Sequence, residues 1–294
     1  MATVKLNGVG VALVTPFTNS GSIDYDSLES LIEHVIKGGC DYIVSQGTTA
    51  ETPTLTLKEK RELDNFIPRI VKGRIPVIVG IGGNNTAAII DELRTRPLKE
   101  YDAVLSVTPY YNRPTQEGLY QHFKNLSDVS PLPLILYNVP GRTGVNLTSH
   151  TTLRLANYSK NIIGIKEASG KMDQVKEILS DSPGHFSVIC GDDSNTCQFI
   201  KNGAPGVISV LANAVPHIVK ELVELSLNKI SEADLLHEKL KNLVSLLFEE
   251  GNPAGIKALL HQMGLCNNNL RLPLVPVSQY VWEKIKKESS LILN

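Results

Sequence analysis

Eight short apolar runs alternate with amphipathic stretches over the first 225 residues of the chain. Each run is long enough to cross a parallel sheet that is buried on both faces. Because longer stretches with helical signals lie between the runs, the pattern predicts strands that alternate with helices. The predicted strands span residues 9–14, 42–44, 77–79, 103–107, 134–136, 162–165, 186–190 and 206–210.

Local signals mark where several of the intervening helices begin. Asp24 suits the N-cap of a first helix, whose apolar positions recur at helical spacing until a glycine pair at 38–39. Thr56 and Glu59 form a capping-box pattern, which opens a second helix. Pro216 suits the first turn of the helix after the eighth strand. Further helices are predicted near residues 86–93, 119–126, 149–156, 172–179 and 196–200.

Eight strand–helix units within about 220 residues are typical of a (β/α)8 TIM barrel of the α/β class. A doubly wound parallel sheet is the alternative, but the first unit lacks the glycine-rich turn of a dinucleotide-binding fold. Beyond residue 225, helices are predicted at 231–250, 253–263 and 277–288. Since no low-complexity linker precedes them, we expect a barrel over residues 1–225 and a helical extension over 226–294 packed on it.

Composition narrows the class of protein further. The formal net charge of −1 argues against a nucleic-acid-binding surface, which would need an excess of basic residues. The sequence predicts neither a signal peptide nor a membrane-spanning helix, which would need roughly 20 apolar residues. The four cysteines lack the C-x-x-C spacing of a metal site, and the seven histidines form no ligand pattern. We therefore expect a cytoplasmic protein with reduced thiols and without a metal.

Polar and reactive residues follow four of the predicted strands. The second strand leads into residues 47–49, the fourth into 110–113, the fifth into Tyr137 and Arg142, and the sixth into Lys166. In a barrel these strand ends converge on one face, where active sites lie. Burial at the end of an apolar strand disfavours the charged form of a lysine, and a neutral amine can attack a ketone to form a Schiff base.

Each of these residues suits a role in imine chemistry. Tyr137 could move protons as the carbinolamine loses water, and residues 47–49 could bind a carboxylate through backbone amides and hydroxyls. Arg142 could bind a second carboxylate through two parallel hydrogen bonds. The alternatives are structural: Lys166 would mark a strand end, Tyr137 a core position, the threonines a turn and Arg142 a solvated charge. Tyr110 and Tyr111 would suit an apolar subunit contact equally well.

Six motifs follow one another along the chain: GTTAE, VTPYYNRP, YNVPGRTG, GIKEASG, GDD and GVISVLAN. Together they resemble the dihydrodipicolinate synthase family, pyruvate-dependent class I aldolases of the N-acetylneuraminate lyase superfamily. The resemblance runs from about residue 7 to about residue 280. It implies a lyase that condenses pyruvate with aspartate-4-semialdehyde on the diaminopimelate route to lysine.

The resemblance also implies roles for the residues that chemistry singles out. Lys166 would form the Schiff base with pyruvate, and the resulting enamine would attack the aldehyde. Tyr137, Thr48 and Tyr111 would form the proton relay, with Tyr111 contributed by a neighbouring subunit. The family pattern implies a homotetramer made of two tight dimers. No external cofactor is expected, because the lysine itself carries the substrate.

Four further positions are implied to bind substrate. Thr49 would help to hold the pyruvate carboxylate, and Arg142 would bind the carboxylate of the semialdehyde. Gly191 and Ile208 would line the pocket. Sialic-acid lyases lack the G-R-T turn after their tyrosine, so Arg142 favours a short carboxylated aldehyde as the second substrate.

Two other functions stay open. One is a related pyruvate aldolase that acts on a 2-keto-3-deoxy sugar acid, which the second substrate would distinguish. The other is a non-catalytic protein that binds keto acids on the same barrel, since a fold alone does not determine function. The presence of both Lys166 and Tyr137 argues against the non-catalytic alternative.

Ala50 departs from the family pattern, which usually has glycine at this position of GTTAE. If the turn needs a positive φ there, alanine costs roughly 1 kcal/mol. A slightly different turn would remove that cost, and we expect catalysis to be unaffected.

The positions associated with lysine inhibition also differ. Lysine-sensitive members place histidines and a glutamate around a pocket for free lysine, whereas this chain has Leu57, Lys60 and Ala88 there; Asn84 and Tyr110 remain. Loss of the carboxylate, together with an added cation, removes a partner for the ammonium groups of lysine and introduces repulsion. We therefore predict weak or absent inhibition. An inhibition constant in the sub-millimolar range, obtained from initial rates against L-lysine, would contradict this prediction.

Overall fold

The computed structural model describes residues 4–293 and shows eight parallel strands that close into a barrel. Strands neighbour one another in chain order, and the first strand pairs with the last over Gly8–Gly206 to Val11–Ser209. The strands are β1 (Gly8–Ala12), β2 (Tyr42–Ser45), β3 (Val77–Gly80), β4 (Ala103–Val107), β5 (Leu134–Asn138), β6 (Ile162–Glu167), β7 (Ser187–Cys190) and β8 (Gly206–Ser209).

Helices cover the outside of the barrel and form the C-terminal extension. The helices between and after the strands are α1 (Tyr25–Lys37), α2 (Leu57–Val71), α3 (Thr86–Thr95), α4 (Gln116–Val129), α5 (Pro140–Thr143), α6 (Ser149–Tyr158), α7 (Met172–Asp181), α8 (Thr196–Lys201) and α9 (Pro216–Leu227). The extension consists of α10 (Glu232–Glu249), α11 (Ala254–Gln262) and α12 (Gln279–Leu293).

The predicted TIM barrel is confirmed, and its closure excludes the doubly wound sheet, in which β1 and β8 would be unpaired edges. The predicted helix starts also hold, because the Asp24 side chain accepts the backbone N–H of Ser27 and both capping-box bonds between Thr56 and Glu59 form. The last helix begins two residues later than predicted and extends to Leu293. The predicted boundary after residue 225 falls inside α9, and the division into two units stays a prediction.

β5 and β6 run further than their apolar residues predict. Tyr137 pairs with Lys166 across the two strands, and Asn138 pairs with Glu167. All four residues are buried, because they continue the hydrogen-bonded ladder past the point where the apolar run stops. The barrel wall itself therefore carries the residues that the sequence suggests for chemistry.

A buried ion pair attaches the extension to the loop after β2. The Lys257 ammonium contacts the Glu51 carboxylate, and the side chains of both residues are 0% exposed. Lys257 Nζ also donates to the carbonyl oxygen of Asn269 at 2.8 Å and lies 4.2 Å from the centroid of the Phe17 ring. Burial lowers the pKa of Lys257, and the Glu51 carboxylate opposes that shift. The charge is therefore stabilised inside the protein by one carboxylate, one carbonyl and one aromatic ring.

Arg271 strengthens the same attachment. Its backbone N–H donates to the Glu51 carboxylate at 3.0 Å, and its guanidinium binds the Glu59 carboxylate on α2. Hydrogen bonding to Arg271 lowers the pKa of Glu59 to about 2, despite partial burial. The loop after β2 and the start of α2 are thus held from the C-terminal side by two cations.

Three further features of residues 4–293 concern the cysteines, membrane-spanning helices and metal sites. All four cysteines are buried free thiols. Within residues 4–293, no helix is both long and apolar enough to cross a bilayer. The same residues contain no cluster of three histidine, cysteine or acidic side chains suited to a metal ion.

We predict that Lys257→Met destabilises the protein by about 3–5 kcal/mol, because Glu51 is left as a buried carboxylate without its cation. Guanidinium denaturation followed by circular dichroism measures the change. Lys241→Met is the matched control, since Lys241 pairs with Glu238 in solvent, where the two side chains are 63% and 65% exposed. Equal denaturation midpoints for the two variants would contradict the prediction.

Candidate active site

A cavity of about 420 Å³ opens at the carboxyl ends of β2–β5. This is the face of the barrel where the βα loops converge. Its lining includes Gln46–Thr48, Gly80–Gly82, Leu105, Val107 and Tyr137 from the strands and the loops that follow them. Arg142, after β5, also lines it, as do Asn252, Pro253, Pro273 and Leu274 of the extension. The extension therefore completes a cavity that the strands begin.

Lys166 and Tyr137 lie side by side on neighbouring strands. The Lys166 ammonium is 4.5 Å from the centroid of the Tyr137 ring, and the two residues are 5% and 7% exposed. Within residues 4–293, Lys166 forms no ion pair and donates no hydrogen bond. A buried amine without a counter-ion is suited to attack a carbonyl group.

Gly191 lies against the stem of Lys166. A Cβ atom at this glycine would be 3.0 Å from Lys166 Cγ, 2.9 Å from Ala168 Cβ and 3.1 Å from the Glu167 carbonyl oxygen. The φ of Gly191 is not positive, so the need for glycine is one of space. Ile208 on β8 is fully buried in the barrel wall.

Thr48 and Thr49 form a short 3₁₀ turn with Ala50, directly after β2. Thr48 lines the cavity, whereas Thr49 is 2% exposed and lies behind the lining. The residue with positive φ is Glu51, at 54°, and Ala50 is not among such residues. The free-energy cost of a positive φ at Ala50 therefore does not arise. Glu51 has the positive φ instead, and its ion pair with Lys257 stabilises this conformation.

Arg142 lies on α5, a single helical turn that begins at Pro140 after β5. It is exposed at the cavity mouth, and its Nη2 atom donates to the backbone carbonyl oxygen of Asn252 at 3.1 Å. Within residues 4–293 the guanidinium forms no ion pair, so its remaining N–H groups can bind an anionic ligand.

The two tyrosines after β4 are placed differently. Tyr110 lines the cavity, and its carbonyl oxygen accepts a hydrogen bond from Asn84 Nδ2 at 3.1 Å. Tyr111 is 89% exposed, has a φ of 73° and is not part of the lining. Within one subunit, the loop thus presents Tyr111 to solvent rather than to Lys166.

The structure brings together only some of the predicted site residues. Lys166, Tyr137 and Gly191 form one group inside the barrel, while Thr48, Tyr137 and Arg142 share the wall of the cavity. Thr49 contacts the cavity lining indirectly, through its hydrogen bond with Asn252. Ile208 lies on β8 and is not part of the cavity lining.

Sequence analysis missed two sets of residues that support this site. Asn252 and Glu51 hold the turn at residues 48–50, and both lie outside the predicted helices and strands. On the outer face of the strands, Asn138 and Gln174 donate to the buried Glu167 carboxylate, at 3.0 Å each. The signal for Glu167 was its position directly after Lys166, since alternating side chains on a strand point to opposite faces.

Comparison with known proteins agrees with this geometry. The profile of the Dihydrodipicolinate synthetase family matches residues 5–291. The chain belongs to this family. Its relatives include proteins named 4-hydroxy-tetrahydrodipicolinate synthase from Azobacteroides pseudotrichonymphae and Parabacteroides distasonis, which are 49% and 48% identical over 288 residues. In both comparisons the match covers 98% of this chain and 97% of the relative.

Solved structures of the family share the fold over almost the full length. The 4-hydroxy-tetrahydrodipicolinate synthase of the methanotroph Methylacidiphilum fumariolicum superimposes with a TM-score of 0.94 at 43% identity. The superposition covers 97% of this chain and 95% of that one. The barrel and its extension are therefore an architecture of the dihydrodipicolinate synthase family.

We predict that Gly191→Ala slows the reaction of Lys166 with a keto acid by about tenfold, because the new methyl group displaces the stem of the lysine. The rate of borohydride-trapped adduct formation with pyruvate measures this effect. Gly184→Ala is the matched control. Gly184 precedes β7, the strand that Gly191 follows, and its φ is not positive. A Cβ atom at Gly184 would have no neighbour within 4 Å. An unchanged rate in Gly191→Ala would contradict the prediction.

Proposed function

We propose that this enzyme condenses pyruvate with L-aspartate-4-semialdehyde to form 4-hydroxy-tetrahydrodipicolinate, in the diaminopimelate route to lysine. The observation that carries the proposal is the pair of Lys166 and Tyr137, with the amine buried and without a counter-ion inside a barrel of this family. Imine formation needs a nucleophilic amine and a nearby group that carries protons. Lys166 and Tyr137, which lie on neighbouring strands, have the side chains for these two roles.

The first half of the reaction forms an enamine on Lys166. The neutral amine adds to C2 of pyruvate, and the carbinolamine loses its hydroxyl group as water after protonation. The resulting iminium withdraws electrons, so that a proton leaves C3 and an enamine forms. We assign the donation and acceptance of these protons to Tyr137, whose ring lies 4.5 Å from the Lys166 ammonium. No external cofactor is required, because Lys166 supplies the electron sink.

The second half joins the two substrates and frees the enzyme. C3 of the enamine attacks the aldehyde carbon, and the oxygen of the aldehyde takes up a proton to become the 4-hydroxyl group. The amino group of the former semialdehyde then adds to C2 and expels the amine of Lys166, which closes the ring. One water molecule is released overall.

The remaining residues bind and orient the substrates. Thr48 and Thr49 present hydroxyls and backbone amides for the pyruvate carboxylate, and Arg142 binds the carboxylate of the semialdehyde at the cavity mouth. Gly191 and Ile208 shape the space around Lys166. Thr48 and Tyr111 extend the proton relay that begins at Tyr137.

We further propose a homotetramer made of two tight dimers, in which Tyr111 enters the site of a neighbouring subunit. The exposure of 89% for this aromatic side chain supports the idea, since an aromatic residue on an exposed loop is suited to an interface. The free buried thiols are consistent with the reducing conditions of the cytoplasm, where we place the enzyme.

The test of the function is trapping of the covalent intermediate. Borohydride reduction with pyruvate should add one reduced pyruvyl group per chain to the wild type and to the control Lys176→Ala, an exposed lysine on α7, but none to Lys166→Ala. Intact-protein mass spectrometry measures the adduct. A folded wild type that forms no adduct would overturn the imine mechanism. Without borohydride, an enzyme that consumes pyruvate only with sugar-derived aldehydes would overturn the assigned second substrate.

Sharing of the site between subunits has a separate test. Tyr111→Phe and Lys166→Ala are both expected to have little activity, because each removes a part of every site. After mixing and subunit exchange, activity should partly return, because some sites then combine a normal Lys166 with a normal Tyr111. Continued inactivity despite exchange, shown by native mass spectrometry, would count against a shared site.

A further inference from the structure

Asn252, between α10 and α11, contacts both groups that the proposed function assigns to carboxylate binding. Its side-chain Nδ2 atom donates to Thr49 Oγ1 at 3.0 Å, and its backbone carbonyl oxygen accepts from Arg142 Nη2 at 3.1 Å. Asn252 lines the cavity and is 7% exposed. One residue of the extension thus spans the distance between the turn after β2 and the helical turn after β5.

The direction of the bond to Thr49 matters for chemistry. A hydroxyl group carries one proton to donate and two lone pairs to accept with. Because Asn252 is the donor in this bond, the hydroxyl proton of Thr49 is not used, and within residues 4–293 Thr49 Oγ1 has no other partner. The hydroxyl proton of Thr49, just behind the cavity lining, therefore has no acceptor within the described chain.

Stability alone does not explain an amide at this position. Asn252 Oδ1 is buried and has no hydrogen-bond partner within the described chain. An unpaired buried polar atom is unfavourable, so half of the amide has no compensating contact in the fold. A requirement on Thr49 accounts for the amide, since no apolar side chain can donate to its hydroxyl.

We propose that Asn252 is a positioning residue that sets the two carboxylate-binding groups for their ligands. Its amide fixes the Thr49 hydroxyl as a donor to the carboxylate of the keto acid, and its backbone carbonyl holds the Arg142 guanidinium for the carboxylate of the second substrate. This inference rests on the proposed function, and it adds a residue of the extension to substrate recognition.

The experiment measures the pyruvate concentration that gives half-maximal borohydride-trapped adduct. Asn252→Ala should raise it by about tenfold, as expected for loss of one oriented hydrogen bond to a charged group. Asn252→Asp should raise it further, although its shape is nearly the same, because a carboxylate can only accept the Thr49 proton and repels the ligand. Since this variant preserves the packing, it keeps the test valid if the alanine variant is poorly folded.

Gln262→Ala is the matched control. Gln262 also lies in the extension, donates its Nε2 to a carbonyl oxygen, that of Trp282, at 3.1 Å, and leaves a buried Oε1 without a partner in the described chain. It does not line the cavity, so its variant should retain the wild-type half-saturation. Changes of equal size in Asn252→Ala and Gln262→Ala would show a general effect of the extension and overturn the inference.

A double-mutant cycle with Thr49→Val tests whether Asn252 acts through Thr49. The double variant should bind pyruvate no more weakly than the worse single variant, because both changes remove the same donor. Fully additive effects, or a half-saturation in Asn252→Asp below that of Asn252→Ala, would overturn the inference. A wild type that forms no adduct would instead overturn the proposed function, and the inference would fall with it.

Discussion

The parallel register between β5 and β6 is the constraint on which the site depends. Tyr137 pairs with Lys166 in this register, and the next pair, Asn138 with Glu167, points to the other face. A slip by one residue would turn the amine out of the barrel, since the side-chain period of a strand is two. Hydrogen bonds from Asn138 and Gln174 to Glu167 hold the register from outside.

Closure of the barrel supplies the second requirement, which is burial of Lys166. Pairing of β1 with β8 leaves no strand edge open to solvent, and the wall around Lys166 is formed by fully buried residues such as Ile165 and Ile189. Within the described chain, the Lys166 amine lies against the Tyr137 ring and has no counter-ion. The barrel thereby provides the environment in which a lysine can act as a nucleophile.

The extension connects stability to substrate binding. Lys257 and Arg271 hold Glu51, the residue of positive φ that follows the threonine turn, and Asn252 contacts Thr49 itself. Because a buried ion pair is costly unless both partners are fixed, this arrangement is sensitive to the docking of the extension. The C-terminal extension therefore contributes to the shape of the cavity as well as to the stability of the fold.

The sequence by itself determined the barrel, most strand and helix limits, and the concentration of reactive residues at one end, because these follow from apolar periodicity and local capping. It also carried the motifs that place the chain in its family. The contacts of Asn252 with Thr49 and of Lys257 with Glu51 join residues about 200 positions apart, so no local pattern could show them. Only the tertiary structure decided that Lys166 lies against Tyr137 and Gly191 while Tyr111 faces solvent, because burial and close approach depend on how distant segments pack.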